Sequence, residues 1–361
     1  MGHPKVLFIC SAQSDYPRNT QILRALKMNF EVIPITSNKP SYYQRLPEVI
    51  LKLFWISFIK KYDLIYCGFL GQPLMPFIGL IRLFKKKPVI LDAFISIYDT
   101  LCLDRKDFKT NSTIGTVSYW LDSFSLRQAE SIITDTQAHT DYFSGLFHTP
   151  REKCITLYTG IDETILPEKR ISKNEKNFIV FSHGNFLPLH GNEYIVTAAK
   201  LLENQPEILF KMVGAGREKN KIVRLSRELK VKNIEFIDWV SYEDLFLHIS
   251  EADLCLGGHF SDNPKAKRVI SGKTFLYLAM HKPVIVGNSP AAQELFAHGE
   301  NIFMCPMADA QSLADAILQL KHDTALREKI AQGGYEVFKT KCSNVQIAEQ
   351  LAKIVGKSVR L

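Results

Sequence analysis

Short β-rich runs alternate with amphipathic helical patterns along the whole of this 361-residue chain. Strand-like runs in the first half are KVLFI, EVIPI, DLIYC, PVIL, SIIT and CITL, and in the second half FIVFS, ILFKMV, IEFI, DLCL, PVIV and IFM. The stretches between them are long enough for crossover helices, so the order predicts parallel sheets covered by helices. We expect an α/β chain with two doubly wound domains.

A charged segment separates the two halves. Residues 161–176 (IDETILPEKRISKNEK) hold eight charged residues and no strand pattern, which is typical of a linker. We therefore predict domains at 1–165 and 177–340, with a helical segment, 341–361, that packs back on the first domain. Two such domains facing one another form a cleft, lined by the loops that follow the strands.

The charge of the chain favours anionic partners. There are 45 Lys and Arg against 37 Asp and Glu, a formal net charge of +8. The seven cysteines are widely spaced and odd in number, which indicates buried thiols in a reducing compartment. Because no signal peptide is visible at the N-terminus, we expect a cytoplasmic protein.

Two apolar stretches end in lysines. Residues 46–59 (LPEVILKLFWISFI) precede Lys60 and Lys61, and residues 69–84 (FLGQPLMPFIGLIRLF) precede the lysines at 85–87. Each is shorter than the ~20 residues that span a bilayer. Two interpretations remain open: core helices that cover a sheet, or a lysine-rimmed surface that attaches to the inner face of a membrane.

Motifs for metals and nucleotides are absent or false. No two aspartates stand two apart, and neither H-x-x-x-H nor C-x-x-C occurs. The run SGKT at 271–274 resembles the end of a P-loop, but Lys267 stands where that motif requires glycine. We expect neither a metal nor a cofactor.

Two strand-to-helix loops of the second half are rich in glycine. Such loops let backbone amides approach an anion at a helix N-terminus, although glycines after strands also serve plain turn geometry. The candidate residues are Gly184, Asn185, His190 and Gly191 after FIVFS, and Gly214 and Gly216 after ILFKMV.

A third loop, residues 261–273, places four cations before the helix TFLYLAM. Arg268 and Lys273 are the two that we select, because such cations can neutralise a diphosphate and help it leave. The alternative is a solvated basic loop.

These stretches resemble a known family. The order GNFLPLHG, MVGAG and KRVISGKTFLYLAMHKPVIVGNSPAAQEL is similar to the carboxy-terminal domain of GT-B glycosyltransferases of the retaining family 4 group. KVLFICSAQSDYPRNTQILRALK and LDAFISIYDT resemble its acceptor-side half. The resemblance implies two Rossmann-like domains facing across a cleft, and transfer of a sugar from a nucleotide-sugar, with retention and without a bound metal.

The chain also departs from that family. Asn185 and His190 stand where its glycine-rich loop carries two cations, and its paired glutamates would fall on Arg268 and Leu276. We predict that Arg268 and Lys273 replace the missing cations at the donor diphosphate. Glu294, in PAAQEL, completes the expected donor side.

In the first half, polar residues follow two of the predicted strands. Asp92 and Asp99 are the candidate catalytic carboxylates, because a carboxylate can orient an acceptor hydroxyl or take its proton. For Asp99, a helix cap or surface ion pair is an equal alternative. Asp15, Tyr16 and Arg18 are expected to line the acceptor side.

The leading hypothesis is a glycosyltransferase that extends a lipid-linked saccharide or polysaccharide. Two alternatives stay open: a nucleotide-sugar epimerase of the same fold, and a non-catalytic nucleotide-sugar-binding scaffold. We expect no nucleic-acid partner, since no helix-turn-helix, zinc-finger or RNP signature occurs. Seven histidines are interpreted as packing or surface groups and not as ligands: His139, His148, His183, His248, His259, His281 and His298.

Overall fold

The structure is a computed structural model that describes residues 4–13, 15–167 and 177–360. It divides into two compact units: the first runs to Tyr158 and resumes at Asn344, and the second is Thr159–Ser343. The sequence-based limits were 1–165, 177–340 and 341–361, so the division falls before the predicted linker. Residues 168–176 of that linker lie outside the described residues.

The first unit is built on a six-stranded parallel sheet of order β2-β1-β3-β4-β5-β6. Its strands are β1 Lys5–Ile9, β2 Glu31–Ile35, β3 Leu64–Cys67, β4 Val89–Asp92, β5 Ser131–Thr134 and β6 Cys154–Thr156. Its helices are α1 Pro17–Lys27, α2 Tyr42–Ile59, α3 Met75–Arg82, α4 Thr113–Gln128, α5 Gln137–Phe147 and α13 Asn344–Arg360.

Helices cover both faces of this sheet, because alternate side chains of each strand point to opposite sides. Leu7 and Ile9 share one core with α2 to α5. Val6 and Phe8 share the other core with α1 and α13. The continuous apolar runs in the sequence are thus explained by strands buried on two sides.

The second unit repeats the plan with the order β12-β11-β10-β7-β8-β9. Its strands are β7 Phe178–His183, β8 Ile208–Val213, β9 Ile234–Ile237, β10 Leu254–Leu256, β11 Val284–Gly287 and β12 Phe303–Cys305. Its helices are α6 Asn192–Leu201, α7 Lys219–Glu228, α8 Tyr242–Glu251, α9 Gly272–Ala279, α10 Pro290–Leu295, α11 Ala310–His322 and α12 Thr324–Val337.

The prediction of two doubly wound α/β domains is confirmed. In each sheet the strand order reverses once, between β1 and β3 in the first unit and between β7 and β10 in the second. Ligands of such sheets bind beyond the carboxyl ends of the strands at this switch point. Among the described residues, no helix combines the length and the apolar character that crossing a membrane requires.

Candidate functional site

At the switch point of the second unit, the loops after β7 and β10 touch each other. The amide of Phe260 donates to the carbonyl of His190 at 3.1 Å. The hydroxyl of Ser261 donates to the carbonyl of Leu189 at 3.0 Å. These bonds hold the two loops as one rim beside the start of α9.

Lys273, in the first turn of α9, reaches under this rim. Its ammonium donates to the hydroxyl of Ser182, at the end of β7, at 3.1 Å, and the residue is only 9% exposed. No carboxylate of the described chain lies within ion-pair distance of it. Burial lowers the pKa of Lys273 to about 8. A buried cation without a counter-charge is what an anion-binding site needs before its ligand arrives.

Three histidines surround this lysine. The rings of His190 and His259 lie 4.9 Å apart between centroids, and Nδ1 of His183 is 2.8 Å from the hydroxyl of Tyr277. Burial first, and then the charge of Lys273, lowers the pKa of His183 and of His259 to about 3. The same two causes hold the pKa of His190 well below its usual range. All three rings are therefore neutral at physiological pH.

His183 and His259, interpreted from the sequence as packing or surface groups, border the predicted anion site. His183 is the last residue of β7, and His259 lies in the loop after β10. That position is the signal in the sequence that would have included them.

Close backbone packing explains three of the predicted glycines. A Cβ on Gly214 would stand 2.1 Å from the carbonyl oxygen of Gly184, and one on Gly191 would stand 2.5 Å from the amide nitrogen of Ser261. Both residues also have positive φ angles, +140° and +66°. Gly184 has open space around its Cβ position, so its face is available to a ligand. Gly216 packs in the same way as Gly214, against Phe186.

The remaining predicted donor residues lie on or next to these loops. Asn185 is exposed, and Arg268 is half-buried in the loop before α9. That loop is tied to α10, which carries Glu294, because the amide of Ala291 donates to the carbonyl of Lys267 at 3.2 Å. Leu276, at one of the positions where the family has glutamate, is 6% exposed and belongs to the apolar interior.

In the first unit, Asp92 and Arg18 form a buried ion pair. Nε and Nη2 of Arg18 donate to the two carboxylate oxygens of Asp92 at 3.0 and 3.2 Å. The two side chains are 0% and 1% exposed, and the hydroxyl of Tyr66 donates to Asp92 as well. This carboxylate is enclosed and neutralised, an environment that is typical of a structural ion pair. The catalytic role of Asp92 and the acceptor-side role of Arg18 stay predictions.

Asp99 is also buried, with 1% exposure, and accepts a hydrogen bond from the hydroxyl of Tyr142 at 2.9 Å. Next to it, Asp122 of α4 accepts bonds from the hydroxyl of Ser96 and the amide of Tyr98, at 2.7 and 2.9 Å. Burial raises the pKa of Asp122 to about 6. Asp122 thus fixes the loop after β4, and Asp99 joins that loop to α5. The catalytic role of Asp99 stays a prediction.

Two predicted acceptor-side residues do have accessible surface. Asp15 is exposed in the turn after β1, and the half-buried Tyr16 stacks on Phe69 with ring centroids 4.1 Å apart. Phe69 follows β3, so Tyr16 and Phe69 join the loops on either side of the switch point of the first unit. The predicted acceptor side thus offers one exposed carboxylate and one half-buried aromatic ring.

Comparison with known proteins finds a family match within the second unit. Residues 177–323 match the family model described as glycosyl transferases group 1. Two curated relatives come from Rhizobium meliloti (strain 1021), and both are named lipopolysaccharide core biosynthesis glycosyltransferases. LpsD is 25% identical over 50% of this chain and 50% of its own length. LpsE is 22% identical over 75% of this chain and 77% of its own length. The match to LpsD thus spans about half of that relative.

The fold matches solved structures over nearly the whole chain. Anabaena Alr3699/HepE in complex with UDP-glucose has a TM-score of 0.71 at 19% identity, covering 98% of this chain and 100% of its own. At that identity the similarity concerns the fold alone. The resemblance to GT-B glycosyltransferases is confirmed.

Proposed function

We propose that this chain, whose residues 177–323 match the glycosyl transferases group 1 family model, transfers a hexose from a nucleotide-sugar to a lipid-linked saccharide. The observation that carries the proposal is the buried ammonium of Lys273, which has a hydroxyl but no carboxylate as its partner. The family match and the names of LpsD and LpsE support sugar transfer to a saccharide. The UDP-glucose complex of HepE supports a nucleotide-sugar donor.

The chemistry of the site suits a diphosphate. Lowering the pKa of Lys273 from 10.5 to about 8 corresponds to roughly 3 kcal/mol, a cost that a bound anion would remove. In the reaction, negative charge develops on the departing diphosphate, and a fixed cation nearby stabilises that charge. The neutral histidines supply N–H donors without adding further charge to the empty site.

The other donor contacts in the proposal are Arg268, Asn185, His190 and Glu294, together with the backbone at Gly184. Asp15 and Tyr16 are the proposed acceptor contacts in the first unit. We further propose retention and metal independence, the first from the family resemblance and the second from the lack of a D-x-D pair in the sequence. The departing phosphate would then accept the proton of the acceptor. Contact with the inner face of a membrane completes the proposal, since it brings the enzyme to a lipid-linked acceptor.

Calorimetry with UDP and GDP tests the role of Lys273. We expect Lys273→Met to weaken binding of the nucleotide diphosphate by at least tenfold, or about 1.4 kcal/mol, because a charge-assisted contact is lost. Lys211→Met is the matched control: Lys211 is equally buried, at 8%, but pairs with Glu251 at 3.5 Å. Equal affinities in the two variants would refute the proposed diphosphate site.

A non-catalytic nucleotide-sugar-binding scaffold is the second candidate. It is favoured by the burial of both predicted catalytic carboxylates, Asp92 and Asp99, at 1% exposure each. Incubating the chain with radiolabelled nucleotide-sugars and lipid-linked acceptors separates the two candidates. Labelled product supports the transferase, whereas donor binding with neither transfer nor hydrolysis supports the scaffold.

A further inference from the structure

Three helices of the first unit expose large apolar side chains on their outer faces. On α2, Leu51, Trp55 and Phe58 recur at helical spacing and are 71%, 70% and 52% exposed. Leu83 and Phe84, at the end of α3, are 73% and 76% exposed. Soluble surfaces rarely carry so many large apolar groups close together unless they bind something.

The opposite sides of the same helices are fully buried. Val49 and Leu53 of α2 and Ile78 of α3 are 0% exposed and pack in the core against the sheet. The interpretation as core helices therefore holds for the inner sides, and the membrane interpretation concerns the outer sides alone. One side of each helix covers the sheet, and the other side lacks a partner within the described chain.

The exposed groups form one surface. The rings of Phe58 and Phe84 are in edge contact with centroids 6.3 Å apart, which joins α2 to α3. On α4, Trp120 is 54% exposed and stacks on Phe124 at 5.2 Å. Phe124 in turn faces Gly79 of α3, where a Cβ would lie 3.7 Å from its ring. We call the surface made by Leu51, Trp55, Phe58, Leu83, Phe84 and Trp120 the apolar face.

Lysines border the apolar face. Lys60, Lys61 and Lys86 are exposed, and no carboxylate among the described residues pairs with them. Lys85 extends along the face, with its ammonium 5.7 Å from the centre of the Phe58 ring. At a bilayer surface, the anionic headgroups lie outside the apolar acyl chains. The apolar face, with its tryptophans, would contact the acyl chains, and the lysines at its border would contact the headgroups.

We propose that the apolar face docks the first unit onto an anionic lipid bilayer, with Trp55 and Trp120 entering the interface and Lys60, Lys61 and Lys86 binding lipid phosphates. This proposal rests on the membrane contact in the proposed function, and it specifies which surface and which lipids form that contact. Docking does not depend on sugar transfer. The free lysines favour lipid over a second copy of the chain, because two such rims would repel each other across a symmetric interface.

Tryptophan fluorescence tests the docking directly, since the chain has only three tryptophans, Trp55, Trp120 and Trp239. In a Trp239→Phe variant, both remaining tryptophans lie on the apolar face. We expect vesicles of phosphatidylglycerol and phosphatidylcholine to shift its emission to the blue, and brominated lipids to quench it.

The control is the converse variant, with Trp55→Phe and Trp120→Phe. Its remaining tryptophan, Trp239, is 49% exposed in the second unit and should show neither effect. Equal responses in the two variants would overturn the proposal.

Flotation of the full chain with the same vesicles tests the lysine rim. Changing Lys60, Lys61 and Lys86 together to Glu should reduce the floated fraction severalfold. The charge-matched control changes the exposed lysines at 27, 353 and 357 to Glu and should leave it near the wild-type value. Equal losses would mean that net charge alone drives binding, which also overturns the proposal.

Size-exclusion chromatography without lipid tests the alternative that a second copy of the chain binds the apolar face. A dimer that Trp55→Ser abolishes, combined with no binding to vesicles, would assign the face to a second copy instead. Nucleotide diphosphate affinity should be the same in all these variants. Failure of docking is thereby distinguished from failure of the proposed donor site.

Discussion

Two buried charges have opposite surroundings in the two units. Asp92 and Arg18 neutralise each other through two hydrogen bonds, whereas the ammonium of Lys273 reaches only the hydroxyl of Ser182. A paired buried charge maintains a structure, and an unpaired one awaits a ligand. The contrast is why we propose a binding site at the cation of the second unit and expect the carboxylate of the first unit to contribute to stability.

Asp92→Asn should destabilise the first unit by about 3–5 kcal/mol, because it leaves the Arg18 guanidinium buried without its counter-charge. Urea denaturation followed by circular dichroism measures the loss. The exposed pair of Lys5 and Glu31 provides the control, and Glu31→Gln should cost less than about 1 kcal/mol. An Asp92→Asn protein that is as stable as the wild type but transfers no sugar would support a catalytic role for Asp92 instead.

The histidines predict a pH dependence of stability. Their pKa values in the folded state lie below the unfolded value of 6.5, at about 3 for His183 and His259. The unfolded chain therefore binds more protons as the pH falls, and the free energy of unfolding should decrease from about pH 6.5 towards pH 3. Each pH unit below 6.5 would lower the free energy of unfolding by up to ~1.4 kcal/mol for each of these histidines.

Urea denaturation at several pH values tests this prediction. The free energy of unfolding should fall less steeply with decreasing pH for His259→Asn than for the wild type, and an unchanged slope for this variant would contradict the prediction. His322→Asn, at an exposed position, is the control.

At the scale of elements, the loops after the strands carry the candidate site. The amide of Phe186 in the loop after β7 donates to the carbonyl of Ala215 in the loop after β8 at 2.8 Å. The strand runs and most helices were predictable, because apolar periodicity is a local property. The contact of His190 with Phe260 was not, since it depends on β10 lying next to β7, far away in the sequence.

Two glycine substitutions should have opposite effects. Gly214→Ala should destabilise the second unit by roughly 1–3 kcal/mol, because its Cβ would meet the carbonyl oxygen of Gly184 and its φ is positive. Gly145→Ala, in the interior of α5 with open space around it, should stabilise the first unit by up to ~1 kcal/mol. Thermal unfolding of the two variants measures both effects. A tolerated Gly214→Ala would show that the two loops are not held as close as described.

At the scale of the whole molecule, the chain forms the second unit and then returns to the first. The inner side of α13 is fully buried and shares a core with Ile22 and Leu26 of α1. Its core residues are Ile347, Leu351 and Val355. The first unit is therefore incomplete until the last helix has been made. The net charge of +8 predicts an anionic partner. In the structure, two places suit such a partner: the buried Lys273 of the second unit and the exposed lysines beside the apolar face of the first unit.

Leu351→Ala should destabilise the first unit by about 2–5 kcal/mol through the cavity that it leaves beside α1. Val345→Ala on the same helix is the control, because Val345 is 49% exposed. Differential scanning calorimetry should show a lower unfolding midpoint for Leu351→Ala alone. Equal midpoints for the two variants would mean that α13 contributes little to the stability of the first unit.

The sequence by itself determined the strands, most helices and the fold class, and it carried the resemblance to GT-B glycosyltransferases, since periodicity and motifs depend on neighbouring residues. Only the tertiary structure decided which polar groups are usable. Arg18 and Asp92 stand 74 positions apart, and Ser182 and Lys273 stand 91 apart, so neither contact is visible in a local pattern. Burial and pairing depend on which distant elements meet. They place the predicted catalytic aspartate in a buried ion pair, and they leave the predicted basic-loop lysine buried with a hydroxyl as its partner.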